Sequence, residues 1–210
     1  MLRSTHRQTG ATLVELMIAM ALGISALAAL ASLVGYGMGI NAKLLANSRL
    51  NEELGNVMSL MTRDIRRAGF NGNTLAMVSD PVANPSAFTG SMALGEFLGE
   101  TANSCITYAY DNNSDGVLNA VAGNNENYGF RLRNQMVEMR VNGLACGDDG
   151  WEPLTDPNAV SVTGLTFALN QVVENGVTST EVTVSLLGEL TSDSDLTRRF
   201  DSSFVVRNYD

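Results

Sequence analysis

From Leu16 to Ile40 the chain runs 25 residues without a charged side chain, LMIAMALGISALAALASLVGYGMGI. As a helix at 1.5 Å per residue this is about 37 Å long, against a bilayer hydrocarbon core of ~30 Å, so the segment can cross a membrane. The ten residues before the apolar region, MLRSTHRQTG, contain Arg3, Arg7 and His6 and no acid, and read as a short basic leader. A secretory signal has a shorter apolar region followed by a small-residue cleavage site, whereas here the small residue, Gly10, comes first. A cut at Gly10 would leave the apolar run on the mature chain.

Glu15 breaks the apolar pattern four residues after Ala11. A carboxylate at the centre of a membrane helix costs roughly 2.5–3.5 kcal/mol on insertion scales, and less near its end. The residue either reaches the interface or waits for a cation from a partner, and cleavage after Gly10 would create one, the free α-amino group of Ala11.

The string Gly10-Ala11-Thr12-Leu13-Val14-Glu15-Leu16 resembles the class III prepilin signature of type IV pilins and type II secretion pseudopilins. Ala11 stands where the family commonly has Phe. The resemblance implies that a membrane prepilin peptidase cuts between Gly10 and Ala11 and methylates the new amine. It also implies that Glu15 pairs with a neighbouring subunit's N-terminus during assembly. Basic residues before the span orient the leader to the cytoplasm and the rest outside. Lys43 and Arg49 follow the span and weaken that asymmetry, so the orientation rests mainly on the motif. The implied location is the bacterial inner membrane with a periplasmic head, then the pilus fibre.

Beyond the span, Leu50, Leu54, Val57, Met61, Ile65 and Ala68 recur at three- and four-residue steps among charged neighbours, which predicts continued helix with one apolar stripe. Gly69 follows Arg66 and Arg67 and can take the left-handed C-terminal cap. One helix is predicted from about Thr12 to Ala68, weakest at Gly35, Gly37 and Gly39, which form either a small-residue packing face or a point of local melting. Arg63-Asp64-Ile65-Arg66-Arg67-Ala68-Gly69-Phe70-Asn71-Gly72 is similar to the R-D-I-R-x-A-G-aromatic-x-G string of PilW-type minor pilins, and matches J-type pseudopilins less well. A simpler reading is that these charges only cap and solubilise a helix end.

Residues 71–104 are rich in Asn, Gly, Ser and Ala and read as a loop, with a short helical turn around Met92 to Leu98. Strands are expected at Cys105–Tyr110, Tyr128–Arg133, Met136–Val141, Val160–Ala168, Glu181–Leu187 and Arg199–Val206. One apolar face of an antiparallel sheet would then cover the helix stripe, giving an α+β head. The expected organisation is leader 1–10, helix 11–69, loop region 70–103 and β-sheet head 104–210. The closing Phe204-Val-Val-Arg-Asn208 also resembles the last strand of this family.

Cys105 and Cys146 lie 41 residues apart in a head read as outside the cytoplasm, where a disulfide is the natural inference, and two thiols without histidine make an incomplete zinc set. Asp111-Asn-Asn113-Ser-Asp115-Gly116 fits the start of a calcium loop, with oxygens at alternate positions and then glycine, but Ala122 stands at position twelve instead of the bidentate Glu. Asn119 or Glu126 would complete a looser shell, and the same residue types also make ordinary turns. Asp148, Asp149 and Glu152 read as solvated surface.

Enzyme chemistry finds little support. The only histidine, His6, is in the leader, the only lysine, Lys43, is at the membrane edge, and no nucleophile elbow or P-loop occurs. The net charge of −9, with its deficit concentrated beyond Asn71, argues against direct nucleic-acid binding. The expectation is a non-enzymatic assembly protein, a PilW-like minor pilin with no cofactor unless the acidic loop takes calcium. Its expected partners are the prepilin peptidase, other minor pilins, the major pilin and the inner membrane. The alternatives are a J-type minor pseudopilin of a type II secretion system and a membrane-anchored binding module that never polymerises.

Overall fold

The computed structural model describes residues 10–80, 82–174 and 177–206. Residues 1–9, where the leader is expected, Pro81, Asn175, Gly176 and the chain beyond Val206, with Arg207 and Asn208 of the closing string, lie outside them. The protein is an α+β chain: a long N-terminal helix, α1 (Leu13–Ile65), followed by antiparallel β-sheets. It divides into two compact units, one ending at Ala46 and the other starting at Asn47.

In the first unit α1 starts from Thr12, and none of its large apolar side chains from Leu13 to Leu45 is buried by protein. It is the one helix among the described residues long and apolar enough to cross a membrane. Gly35, Gly37 and Gly39 lie within continuous helix.

In the second unit the rest of α1 buries Leu50, Leu54, Val57, Met58, Met61 and Ile65. The helix ends at Ile65, not Ala68: Arg67 N–H and Ala68 N–H reach back only three residues, to Asp64 O and Ile65 O, so the last turn tightens. Gly69, at φ +78°, reverses the chain in the left-handed region that glycine tolerates. The short helix α2 (Leu75–Ser79) follows within the predicted loop.

The expected single sheet is two sheets and a ribbon. The first contains β1 (Ala93–Gly95), β2 (Cys105–Ala109), β5 (Asn127–Arg133), β6 (Met136–Met139) and β7 (Glu152–Pro153) in the order β1-β2-β5-β6-β7. The short strands β3 (Ala120–Val121) and β4 (Asn124–Asn125) pair as the ribbon. The helical turn expected at Met92–Leu98 is instead β1, because Ala93, Leu94 and Gly95 pair with Thr107, Ile106 and Cys105. No periodicity within 92–98 announces that distant pairing.

The second sheet is formed by β8 (Val160–Glu174), β9 (Val177–Leu190) and β10 (Asp193–Val206) in the order β10-β9-β8, strands longer than the expected 160–168, 181–187 and 199–206. Its inner face meets α1. Along β8 the buried apolar residues are Val160 and Val162, then Leu165 and Phe167. The parity changes because the register slips between Val162 and Gly164, and the bulge turns both pairs inward. On β9, Val182, Val184, Leu186 and Leu190 are buried, and Gly188 interrupts the row. A Cβ on Gly188 would lie 3.0 Å from both terminal methyl carbons of Leu54, so the missing side chain is the socket for that leucine.

Leu54 is fully buried in this socket. Leu54→Ala is expected to destabilise the second unit by about 2–5 kcal/mol through lost burial and the cavity left behind. Chemical denaturation followed by far-UV circular dichroism checks this.

Candidate functional site

At the start of α1, Thr12 and Glu15 form a reciprocal cap. Glu15 N–H donates to Thr12 Oγ1 at 3.3 Å, while Thr12 N–H donates to Glu15 Oε2 at 2.9 Å. This is the T-x-x-E capping box, which satisfies two otherwise orphaned helix donors. Thr12 Oγ1 also lies 3.1 Å from Glu15 Oε2, as donor. Gly10 and Ala11 are exposed and precede the helix, so the peptide between them is accessible and not locked into helical hydrogen bonds. Glu15 is exposed as well.

At the other end of α1, the Arg63–Gly72 string forms the junction between helix and sheet. Asp64 accepts the hydroxyls of Tyr108 at 2.6 Å and Tyr110 at 3.0 Å, two residues on the same face of the β2 run. Arg67 stacks over the Tyr110 ring at 3.9 Å, donates to its hydroxyl at 3.0 Å and reaches Asn112 Oδ1. Tyr110 in turn stacks on Tyr128, centroids 4.1 Å apart. The chain then runs along the end of β2: Gly69 N–H donates to Ala109 O and Asp111 N–H to Phe70 O, both at 2.9 Å. Desolvation, reinforced by the Asp64 charge, raises the phenol pKa of both Tyr108 and Tyr110.

The last glycine of the string is a close approach. A Cβ on Gly72 would fall 2.5 Å from Ser114 Cβ, so only glycine lets residue 72 lie against the 111–116 loop. That loop is organised by two buried carboxylates. Asp111 accepts the N–H groups of Gly72 (2.9 Å), Ser114 (2.6 Å) and Gly116 (2.8 Å). Glu126 accepts those of Asn112 (2.8 Å) and Asn119 (3.0 Å). Asp115, exposed, accepts from the Val117 N–H and the Asn113 and Asn119 side chains, which hold its carboxyl below the ordinary range. Asn113 closes a small ring with Asp115 through its own Oδ1 and Nδ2.

Carboxylate oxygens of Asp111, Asp115 and Glu126 lie within 4.8 Å of one another, and these are the residues that could hold a cation here. Both buried carboxylates are nevertheless accounted for by backbone donors. Asp111→Asn should therefore lower stability by about 1.5–3 kcal/mol, the scale of hydrogen bonds to a charged group, with or without calcium. Thermal unfolding of the detergent-solubilised chain in calcium and in chelator measures this; a loss confined to the calcium sample would reveal a cation site.

Cys105 and Cys146 are joined by a disulfide, with Cα atoms 6.1 Å apart. Asp148 Oδ2 accepts the N–H of Ala145, and Asp149 pairs with Arg133 at 2.6 Å. Tyr108, Tyr110 and Arg131 carry no motif that marks them in the sequence. The alternation Tyr108-Ala-Tyr110 was the available signal, since it puts two hydroxyls on one strand face; Arg131 gave none, because nothing local marks a strand arginine as buried.

The phenols also set a pH dependence. Folded Tyr108 and Tyr110 keep their protons above the ordinary value near pH 10, whereas the unfolded chain ionises there. Their contribution is therefore complete below pH 10 and declines as the pH rises above it. Urea midpoints measured from pH 8 to 11 should fall beyond pH 10, and fall less steeply in Tyr110→Phe.

A family model described as PpdB, prepilin peptidase-dependent protein B, matches residues 43–206. No curated protein and no solved structure matches the chain. The matched region begins at Lys43, so the Gly10–Leu16 string lies outside it and is an independent observation.

Proposed function

We propose, from the premise that the chain belongs to the prepilin peptidase-dependent protein B family and is a pilin-like protein, that it is a minor pilin of the PilW type. In this reading the chain is inserted in the inner membrane with its leader in the cytoplasm. Prepilin peptidase cuts between Gly10 and Ala11 and methylates the new amine. The subunit then joins other minor pilins and the major pilin in a complex that primes the fibre or sits at its tip. Its work is assembly, with no substrate and no reaction of its own.

The observation that carries this reading is the uncovered half of α1. Every large apolar side chain from Leu13 to Leu45 lacks a protein neighbour that would bury it, and this surface begins three residues after the glycine of a prepilin-like string. A surface of that size needs lipid or other helices around it. Both would be met in turn, first the bilayer and then the helices of neighbouring subunits. What supports a minor pilin over a J-type pseudopilin is the Arg63–Gly72 string, whose residues serve the helix–sheet junction.

Glu15 has a defined part in this mechanism. Its carboxylate caps its own helix through Thr12, and at the membrane edge it is the acid available to a neighbour's Ala11 amine. Glu15→Ala should leave leader cleavage intact while lowering the amount of this subunit recovered in sheared fibres at least tenfold, about 1.4 kcal/mol of incorporation energy. Immunoblots of whole cells and sheared fractions read both quantities. Normal incorporation of the alanine variant would refute the pairing role.

A further inference from the structure

On the face of the first sheet turned away from Tyr108, residues paired across successive strands form a row: Gly95 on β1, Cys105 on β2, Arg131 on β5 and Glu138 on β6. The connection from Val141 to Trp151 crosses this face as a strap and carries Cys146. Three arginines grip it. Arg140 donates to Leu144 O at 2.6 Å and Gly143 O at 2.8 Å, Arg131 to Cys146 O at 2.7 Å and Asp148 O at 2.6 Å, and Arg133 pairs with Asp149. Arg131 is wholly buried, bound through Nε to Glu138 at 2.7 Å and covered by the Trp151 ring at 4.5 Å, and Trp151 Nε1 donates to Ala145 O. Gly95 leaves the room, since a Cβ there would lie 3.1 Å from Cys146 Sγ.

None of these contacts uses the sulfur–sulfur bond. Charge-assisted bonds from Arg131 to the carbonyls of Cys146 and Asp148 would hold Cys146 over Cys105 in the dithiol chain as well. The two cysteines also differ in access, because Cys105 is fully buried and Cys146 is half-buried at the surface.

We propose that the arginines seat the strap before the disulfide exists, so that the fold assembles its own oxidation site, with Cys146 meeting the external oxidant and Cys105 resolving. The co-reactant is a disulfide oxidant. Cys146 thiolate attacks one of its sulfurs, forming a mixed disulfide and releasing one thiol; Cys105 thiolate then attacks Cys146 Sγ and expels the second. Two protons and two electrons leave the pair, and the oxidant ends as two thiols. Arg131 is a positioning residue here and touches neither step.

Trp151 is the only tryptophan, so its fluorescence reports the strap alone. Reduction of the detergent-solubilised full-length chain should leave its emission maximum unchanged, whereas a shift to the emission of exposed tryptophan would show that the disulfide seats the strap and overturn the proposal. With oxidised glutathione as probe, Cys105→Ser should form a mixed disulfide at Cys146 at least about 100-fold faster than Cys146→Ser does at Cys105, the usual consequence of unequal access. Equal or reversed rates would contradict the order of attack. In the dithiol chain Arg131→Met should slow closure at least tenfold and expose Trp151. Arg140→Met, a milder change at a half-buried position, should act in the same direction, and closure at the parent rate in both variants would refute arginine seating.

Discussion

The head of this protein depends on a stripe of α1 that cannot be left in water. Leu50, Leu54, Val57, Met58, Met61 and Ile65 lie on one stretch of helix a little over ~4 turns long, and burying side chains of this type is worth roughly 1.5–3 kcal/mol each. The cover is a three-stranded sheet whose irregularities suit the helix. The bulge between Val162 and Gly164 keeps β8 apolar on the inner side from Val160 to Phe167, and Gly188 opens a socket for Leu54. A regular β8 would turn Leu165 and Phe167 away from the core.

Packing alone does not fix where the helix ends. The Arg63–Gly72 string does so by chemistry: a carboxylate under two tyrosine hydroxyls, a guanidinium on a tyrosine face, a left-handed glycine and a second glycine pressed against Ser114. Asp111 then ties that last glycine to the acidic loop. Two charges of the string, Asp64 and Arg67, thus serve the joint between α1 and β2, while Arg66 lies over the Phe204 ring of β10. On the other face of the first sheet the same economy recurs, with alternate arginines on β5 and Arg140 holding a loop that has no regular structure of its own.

Much of this was legible in the sequence and some was not, for a physical reason. A helix is encoded by neighbours three and four residues apart, so the uncharged run, the Leu50–Ile65 stripe and the cap at Gly69 can be read locally. The cysteines needed only a compartment, and Glu126 stood among the residues offered to the acidic loop. What escaped depends on pairing between distant strands. β1 exists because of Cys105 to Thr107, and the division into two sheets because β8 pairs with β9 rather than with β6. Arg131 is buried because Glu138, Trp151 and two carbonyls converge on it. The strand expected at Val160–Ala168 already runs through the bulge; Leu169 to Glu174 extend it because they pair with Val182 to Val177 on β9.

The two parts of α1 obey opposite rules, one covered by its own sheet and the other left bare by the rest of the chain. The account requires that the bare half become the N-terminus of the working protein. The intact mass of the chain extracted from its native membrane tests this most directly. The expected mass lacks Met1 to Gly10 and carries one additional methyl group on Ala11. A functional chain that still begins at Met1, or is cut anywhere other than after Gly10, would contradict it.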